Sequence, residues 1–526
     1  MNTTLDTFQY SADLVKRWGQ VSLPNGKTLR ETLVVDGIAL WDVAAPVLAA
    51  FYFPKDLARK KPLSYFSRKI RPCLSRGKRQ LRALIPFPHS SNGCSRWPGD
   101  KTCLLLGFSG YMYRDVLESV ARCLKENHAM NYVALHDAGR FQGTAVKLHG
   151  EEVHSVWEHW DSRVHERELA IRRQLSVAVC YLTALKTLPD LLLDADGKPL
   201  WPKVENTIKL LLHVHLPSLM PYLALTRHIL EEHRPVLIVS PDISDPRIRL
   251  FVLTGRLMGI PSLEVQSGLL HAKDSVEWQF NVAEKVAVWG ERVRYLFADF
   301  GISEERIIIT GSPRFDGMIN VDRTQVDATR SRLGIPDGRL MVLFASQYLL
   351  SNYSEFGEFP SAQRAVKRAI FEAADRLSGM TLVVKPHPLE NVQETKKIAE
   401  GCKNIVFVKR SENIRELTKA CDVFITLGST ATMDALVARK LIIFPAFPGL
   451  VWWDDVYLKG NVVKVATSKD ELERSLQSVV KGHGEQLLDE LEPARQRFLK
   501  EWVHLPDGRA AERIATLAKQ MAGIFC

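Results

Sequence analysis

Three polar clusters follow apolar runs in the second half of the chain: Gly311-Ser312-Pro313-Arg314 after "RIIIT", Lys385-Pro386-His387-Pro388 after "TLVV", and Gly428-Ser429-Thr430 after "VFITL". Flanking prolines fix φ near −65° and remove two backbone donors, so His387 has little conformational freedom to lose when it binds a ligand. An imidazole held in this way suits a phosphate oxygen. Lys385 would add a cation where charge grows on a leaving phosphate. Gly428 lets backbone approach a ligand closely. Ser429 or Thr430 would cap a following helix whose N–H groups and dipole favour an anion. Asp434, one turn further on, is in reach of a ribose hydroxyl, and Arg314 is the expected phosphate contact of the first cluster. Each residue also has a plainer reading: Ser429 or Thr430 an ordinary helix cap, His387 a satisfied structural histidine, Arg314 paired with Asp316 or another local acid, and Asp434 pointing into water.

The common phosphate and hydrolase signatures are missing. GxxxxGK[ST] does not occur, GxGxxG does not follow "TCLLLGFSG", and GxSxG and HExxH are absent, which argues against P-loop phosphoryl transfer and nicotinamide or flavin chemistry. A base that activates an acceptor hydroxyl must lie within about 3 Å of it. In the first half the candidates are Asp137 ("ALHDAG") and Asp242 ("VSPDISD"), both just past expected strand ends, where either can equally be a cap or turn residue.

These loops need sheets to hold them. At 526 residues the chain exceeds one core, which stops growing near about 250–300 residues, so two large domains are expected. Alternating strands and helices predict parallel sheets covered on both faces. The expected division is an N-terminal extension over 1–100, a Rossmann-like acceptor domain over 101–284, a nucleotide-binding domain over 285–490 with its own sheet from "KVAVWG" onward, and return helices over 491–526. Both sheets would present their carboxyl ends to a central cleft, with a hinge near 281–285.

With 46% hydrophobic and 25% charged residues, the composition is that of a globular protein. No run of about 20 apolar residues is expected to cross a bilayer, and no secretory leader is recognisable. Eight scattered cysteines without CxxC predict reduced thiols in the cytoplasm and argue against structural zinc. Residues 55–82 hold eleven Lys/Arg against Asp56 alone, and this difference of ten equals the net charge of +10. That block is read as a solvated segment or as a peripheral contact with anionic lipid on the inner membrane face. Nucleic acid ranks last, because Tyr65 and Phe66 are too few for a stacking platform.

At these residues the chain resembles GT-B nucleotide-sugar glycosyltransferases of bacterial surface polysaccharides. "KPHP" followed by "GST" is similar to the paired HP and S/SST motifs of sialyltransferases, polysialyltransferases and capsule Kdo transferases. "VAVWGERVRYLFADFGISEERIIITGSPRFD" is similar to CDP-glycerol glycerophosphotransferases and UDP-N-acetylglucosamine 2-epimerases. The resemblance covers residues 235–466. It implies a nucleotide-sugar donor, CMP-sugars such as CMP-Kdo or CMP-sialic acid first, then UDP-sugars and CDP-glycerol, with a glycan or lipid-linked acceptor; no metal is expected if helix dipole, Lys385 and His387 together neutralise the leaving phosphate. Asp36 in "VVDGI" resembles a D/E-D/E-G motif of the sialyltransferases. Where relatives carry Gln-His-Gly, this sequence has Ser267, so the base does not carry over. A 2-epimerase and a non-catalytic subunit of a polysaccharide assembly complex are the alternatives.

Overall fold

The structure, a computed structural model, describes residues 4–53, 97, 101–108, 112–126, 130–136, 146–148, 151–270, 276–319, 321–347, 359–387, 390–450 and 456–524. The basic block 55–82, Asp137 and Pro388 lie outside them. The chain forms two units, Met1–Val288 with Val293–Thr310 and Ala511–Cys526, and Trp289–Arg292 with Gly311–Ala510.

The first unit begins with helix Thr4–Gly19 and a small hairpin, β1 (Val34–Val35) and β2 (Ile38–Ala39), joined at Asp36-Gly37. Both turn residues have positive φ, 50° and 80°, the conformation that a two-residue hairpin of this hand requires. Its main sheet comprises β3 (Thr102–Leu106), β4 (Asn131–His136), β5 (Val146–Leu148), β6 (Glu151–Ser155), β7 (Leu237–Ser240), β8 (Ser262–Val265), β9 (Lys285–Val288) and β10 (Ile307–Ile309), in the order β10-β9-β8-β7-β3-β4-β6-β5. All neighbours are parallel except the edge pair β5/β6. Alternate residues serve opposite faces: Leu104, Leu106 and Leu135 join the core that includes Trp18, Trp41 and Leu223, while Cys103, Leu105, Val239 and Leu263 pack with Val120, Ile514 and Ala518.

Three expectations are corrected here. "KVAVWG" and "RIIIT" form β9 and β10 of the first sheet, because β9 pairs with β8, so the boundary at 284/285 and the separate sheet from 285 do not hold. The change of unit falls at Thr310/Gly311, and the expected hinge at 281–285 lies inside the first unit. There the Arg306 guanidinium bonds Asn281 Oδ1 at 2.9 Å and also reaches the Ala283 carbonyl at 2.5 Å. Finally, the described part of 1–100 is integral to the first core, through Leu14, Trp18, Leu33, Trp41 and Phe53.

One continuous helical stretch, Trp201–His233, is long and apolar enough by length and composition to cross a membrane, contrary to the sequence expectation. Of its apolar window 61% is buried, and Leu216, Met220, Leu223, Ala224 and Ile229 lie in the first core. It packs as a core helix. Cys103, Cys123, Cys180, Cys402 and Cys421 are free thiols.

The second unit carries β11 (Leu340–Ala345), β12 (Met380–Lys385), β13 (Ile405–Phe407), β14 (Val423–Thr426), β15 (Leu441–Pro445) and β16 (Lys464–Ala466), in the order β13-β12-β11-β14-β15-β16. Every pair is parallel. Val342, Phe344, Leu382, Val384 and Ile425 fill one face with helix Phe359–Arg376, and Leu343, Val383 and Phe424 are buried on the other. That two-sided burial accounts for the near-continuous apolar runs of the sequence.

Candidate functional site

Because the second sheet is wholly parallel, the loops after β11, β12 and β14 open on one edge. The chain runs from β11 outward to β12 and β13, then returns to add β14 on the other side of β11. Loops on either side of such a reversal part and leave a ligand crevice at the carboxyl ends. Ser346 and Gln347 follow β11, His387 follows β12, and Gly428 to Thr430 follow β14. The last two loops are separated by two strand spacings, about 10 Å. His387, Gly428, Ser429 and Thr430 are each half-buried, so neither cluster is sealed against apolar neighbours.

A group that the sequence reading did not single out sets the histidine loop. Glu390 is 1% exposed, and its Oε2 accepts the His387 N–H at 2.9 Å. Its Oε1 accepts from Ser346 Oγ at 2.7 Å, Lys367 Nζ at 2.6 Å and Thr395 Oγ1 at 2.5 Å. Lys367, fully buried, also donates to the Gln347 carbonyl at 2.6 Å. A charged pair withdrawn from water persists only when its remaining bonding capacity is filled. Here the partners that fill it are the very loops of β11 and β12. The signal was present: Lys367 shares a helical face with Gln363, Ile370, Phe371 and Ala374, an apolar stripe on which a lysine needs a partner.

Lys385, expected to face the leaving phosphate, is largely buried and donates to the Pro386 and Arg410 carbonyls, both at 3.0 Å. It ties the loop together. Burial, with help from the nearby Lys385 and Lys367 charges, holds the His387 pKa below its ordinary value against the opposing pull of Glu390. The ring is therefore neutral at pH 7, with one N–H to donate.

After β14, Gly428 adopts φ 97°, a left-handed conformation that favours glycine. Thr426 Oγ1 accepts from the Gly428 and Ser429 N–H groups at 3.2 and 3.1 Å, and from Thr432 Oγ1 at 3.0 Å. Ser429 Oγ accepts from Ala431 N–H at 3.2 Å, so it is Ser429 that caps helix Ala431–Val437, and the Thr430 side chain makes no cap bond. These internal bonds use N–H groups expected to meet an anion. Among the described residues, the Ser429 and Thr430 hydroxyl hydrogens keep no partner.

Arg314 and Asp434 are corrected together. Arg314 Nε meets Asp434 Oδ1 at 2.8 Å and Nη2 meets Oδ2 at 2.5 Å, a two-pronged pair with the carboxylate fully buried and the guanidinium nearly so. Neither is presented to a phosphate or a ribose. The pair instead clamps helix Pro313–Ile319 to helix Ala431–Val437. Ser312, also buried, accepts the Arg314 N–H at 3.3 Å, and Gly311 supplies the positive φ of 77° that starts the turn.

In the first unit, the edge after β7 and β8 gathers acids. Desolvation of half-buried Asp242, then the charge of Asp245, pushes its carboxyl up to about 7. Glu264, 1% exposed, is pushed up to about 8, chiefly by burial and further by Asp242. Glu264 Oε1 accepts the Ile243 N–H at 3.3 Å, and Asn281 donates to its other oxygen. The Arg247 guanidinium pairs with Asp245 and lies 5.1 Å from the Phe108 ring centre. Two carboxyls that share a dry site can hold or release a proton near neutrality. Glu264 was missed, although an acid inside the buried run "SLEV" marks it. Asp36 is a turn residue whose carboxylate and carbonyl accept from Arg227 at 3.0 and 2.7 Å. Ser267 is half-buried beside Gln266, which bonds the Gly268 carbonyl at 2.8 Å.

Residues 290–519 match the model of the family described as CDP-Glycerol:Poly(glycerophosphate) glycerophosphotransferase. No curated protein matches the sequence. Among solved structures, the wall teichoic acid polymerase TagF soaked with CDPG is similar at 13% identity and TM-score 0.52, covering 87% of this chain and 97% of that one. A TagF variant without CDPG gives 14%, 0.51, 81% and 90%. The S. aureus MnaA–UDP co-structure gives 12%, 0.50, 81% and 98%. The fold is GT-B, two Rossmann-like α/β units, and the matched family supports an enzyme of the nucleotide-activated transferase type.

Proposed function

We propose that this chain transfers a group from a cytidine-nucleotide donor to a hydroxyl of a surface-polysaccharide or lipid-linked acceptor. The observation that carries this reading is the one shared edge of the second sheet, where His387, set by Glu390, and the hydroxyls of Ser429 and Thr430 stand on either side of β11. The family match over residues 290–519 supports a CDP-glycerol-type donor and moves it ahead of the CMP-sugars suggested by the histidine–proline motif. UDP-sugars follow.

With such a donor, the acceptor oxygen forms a bond to the phosphorus that carries glycerol, the anhydride P–O bond breaks, and CMP departs. The hydroxyl proton passes to a carboxylate, and Asp242 is assigned that role because its raised pKa places proton uptake near pH 7. The neutral His387 N–H and the two hydroxyls meet the growing charge on the leaving phosphate. In this reading no metal takes part in transfer. The protein works at the cytoplasmic membrane face, with residues 55–82 against anionic lipid.

The test is a thermal-shift panel of CMP, CDP, UDP and GDP on the purified chain. A ligand that binds only the folded state adds about 2.7 kcal/mol at a hundred times its dissociation constant. CDP or CMP is expected to raise the midpoint. A response to UDP alone overturns the cytidine assignment, and silence across the panel overturns the donor site.

A further inference from the structure

The first unit also holds imidazoles that the transfer chemistry does not use. A tight turn, Val156–His159, follows β6, and helix Leu216–His233 ends beside it. His159 is buried, His233 half-buried and Glu232 exposed. His159 Nδ1 and His233 Nε2 lie 3.4 Å apart. That is long for a hydrogen bond. It is the separation of two nitrogens bound to one tetrahedral ion at about 2.0–2.1 Å, for which geometry gives about 3.4 Å. Glu232 Oε2 stands 4.0 Å from His233 Nε2, and the three donor atoms all lie within 4.8 Å of one another.

Further observations favour a cation here. The Trp97 ring stacks on His233 at 4.1 Å with a 4° interplanar angle and meets His159 edge-on at 6.2 Å, which fixes both ring planes. His233 is the last residue of an 18-residue helix, whose carbonyl end favours positive charge. Glu232 Oε2 also meets His228 Nε2 at 2.9 Å, a contact that rotation of the exposed side chain exchanges for the ion.

We propose that His159, His233 and Glu232 bind one divalent ion of the zinc class, two nitrogens and one oxygen, with water as the fourth ligand. The exposed Glu232 side chain closes the set by rotation. The ion pins the turn after β6 to the end of helix Leu216–His233 and takes no part in group transfer.

The experiment uses the full chain, stripped with chelator and titrated calorimetrically with Zn²⁺, alongside its Co²⁺ absorption spectrum. About one ion per chain is expected, with tetrahedral Co²⁺ bands that lack thiolate charge transfer, and His233→Gln should weaken binding at least about tenfold. Glu232→Gln, at an exposed position, must weaken it too, which keeps the test open should loss of an imidazole unfold the chain. Absence of binding, thiolate charge transfer, or unchanged affinity in Glu232→Gln overturns the site.

Discussion

Burial keeps His387 neutral, and burial beside Asp245 pushes the Asp242 carboxyl up to about 7. If Asp242 takes the acceptor proton, the transfer rate should rise with pH through about 7. Asp242→Asn should remove that rise and lower the plateau by about 10²–10⁴-fold, read from initial rates between pH 5 and 9. The same shifts bear on stability. Asp242 and Glu264 rise from ordinary values of 3.8 and 4.5 to about 7 and 8, so the folded state holds protons that the unfolded chain has released. Their stabilising share is complete below the unfolded values and is lost as pH rises through the folded ones. Urea melts at pH 5 and pH 8 should therefore differ less for Glu264→Gln than for the wild type. The sequence made His387, Ser429, Thr430 and Asp242 legible, since each sits just beyond an apolar strand. It did not reveal that Arg314 and Asp434, 120 positions apart, would neutralise one another, because local spacing carries no record of a non-local pair.

At the scale of elements, the Lys367–Glu390 pair joins helix Phe359–Arg376 to the ends of β11 and β12. Removing one partner of a buried pair leaves an uncompensated charge and costs about 3–5 kcal/mol, whereas an apolar replacement of both costs much less. Glu390→Ala should thus destabilise the second unit strongly, while Lys367→Met with Glu390→Leu retains most of the stability yet frees the His387 N–H; denaturant melts separate the two. Strands and most helices were legible from apolar runs and helical spacing, as was the hairpin at Asp36-Gly37. The Glu390 network was not, because its members come from four separate stretches of chain and each alone reads as an ordinary polar residue.

Among the described residues, the two large sheets belong to a chain that changes unit several times. "KVAVWG" and "RIIIT" read as strands, but which sheet takes them is decided by pairing with β8, and no local pattern encodes that choice. Helix Ala510–Met521 returns to the first unit, where Ile514, Ala515 and Ala518 are fully buried. Truncation after Asp507 should therefore expose the first unit to proteolysis and leave the second protected, a contrast that limited digestion with mass spectrometry would display. The central claim is that one edge of the second sheet grips a nucleotide phosphate through His387 and Ser429. Calorimetric titration of CDP into wild type, His387→Ala and Ser429→Ala tests it most directly. Hydrogen bonds to charged groups contribute roughly 1.5–3 kcal/mol, so each variant should lose about tenfold or more in affinity while keeping its circular dichroism. Folded variants that both bind CDP as tightly as the wild type would contradict the account.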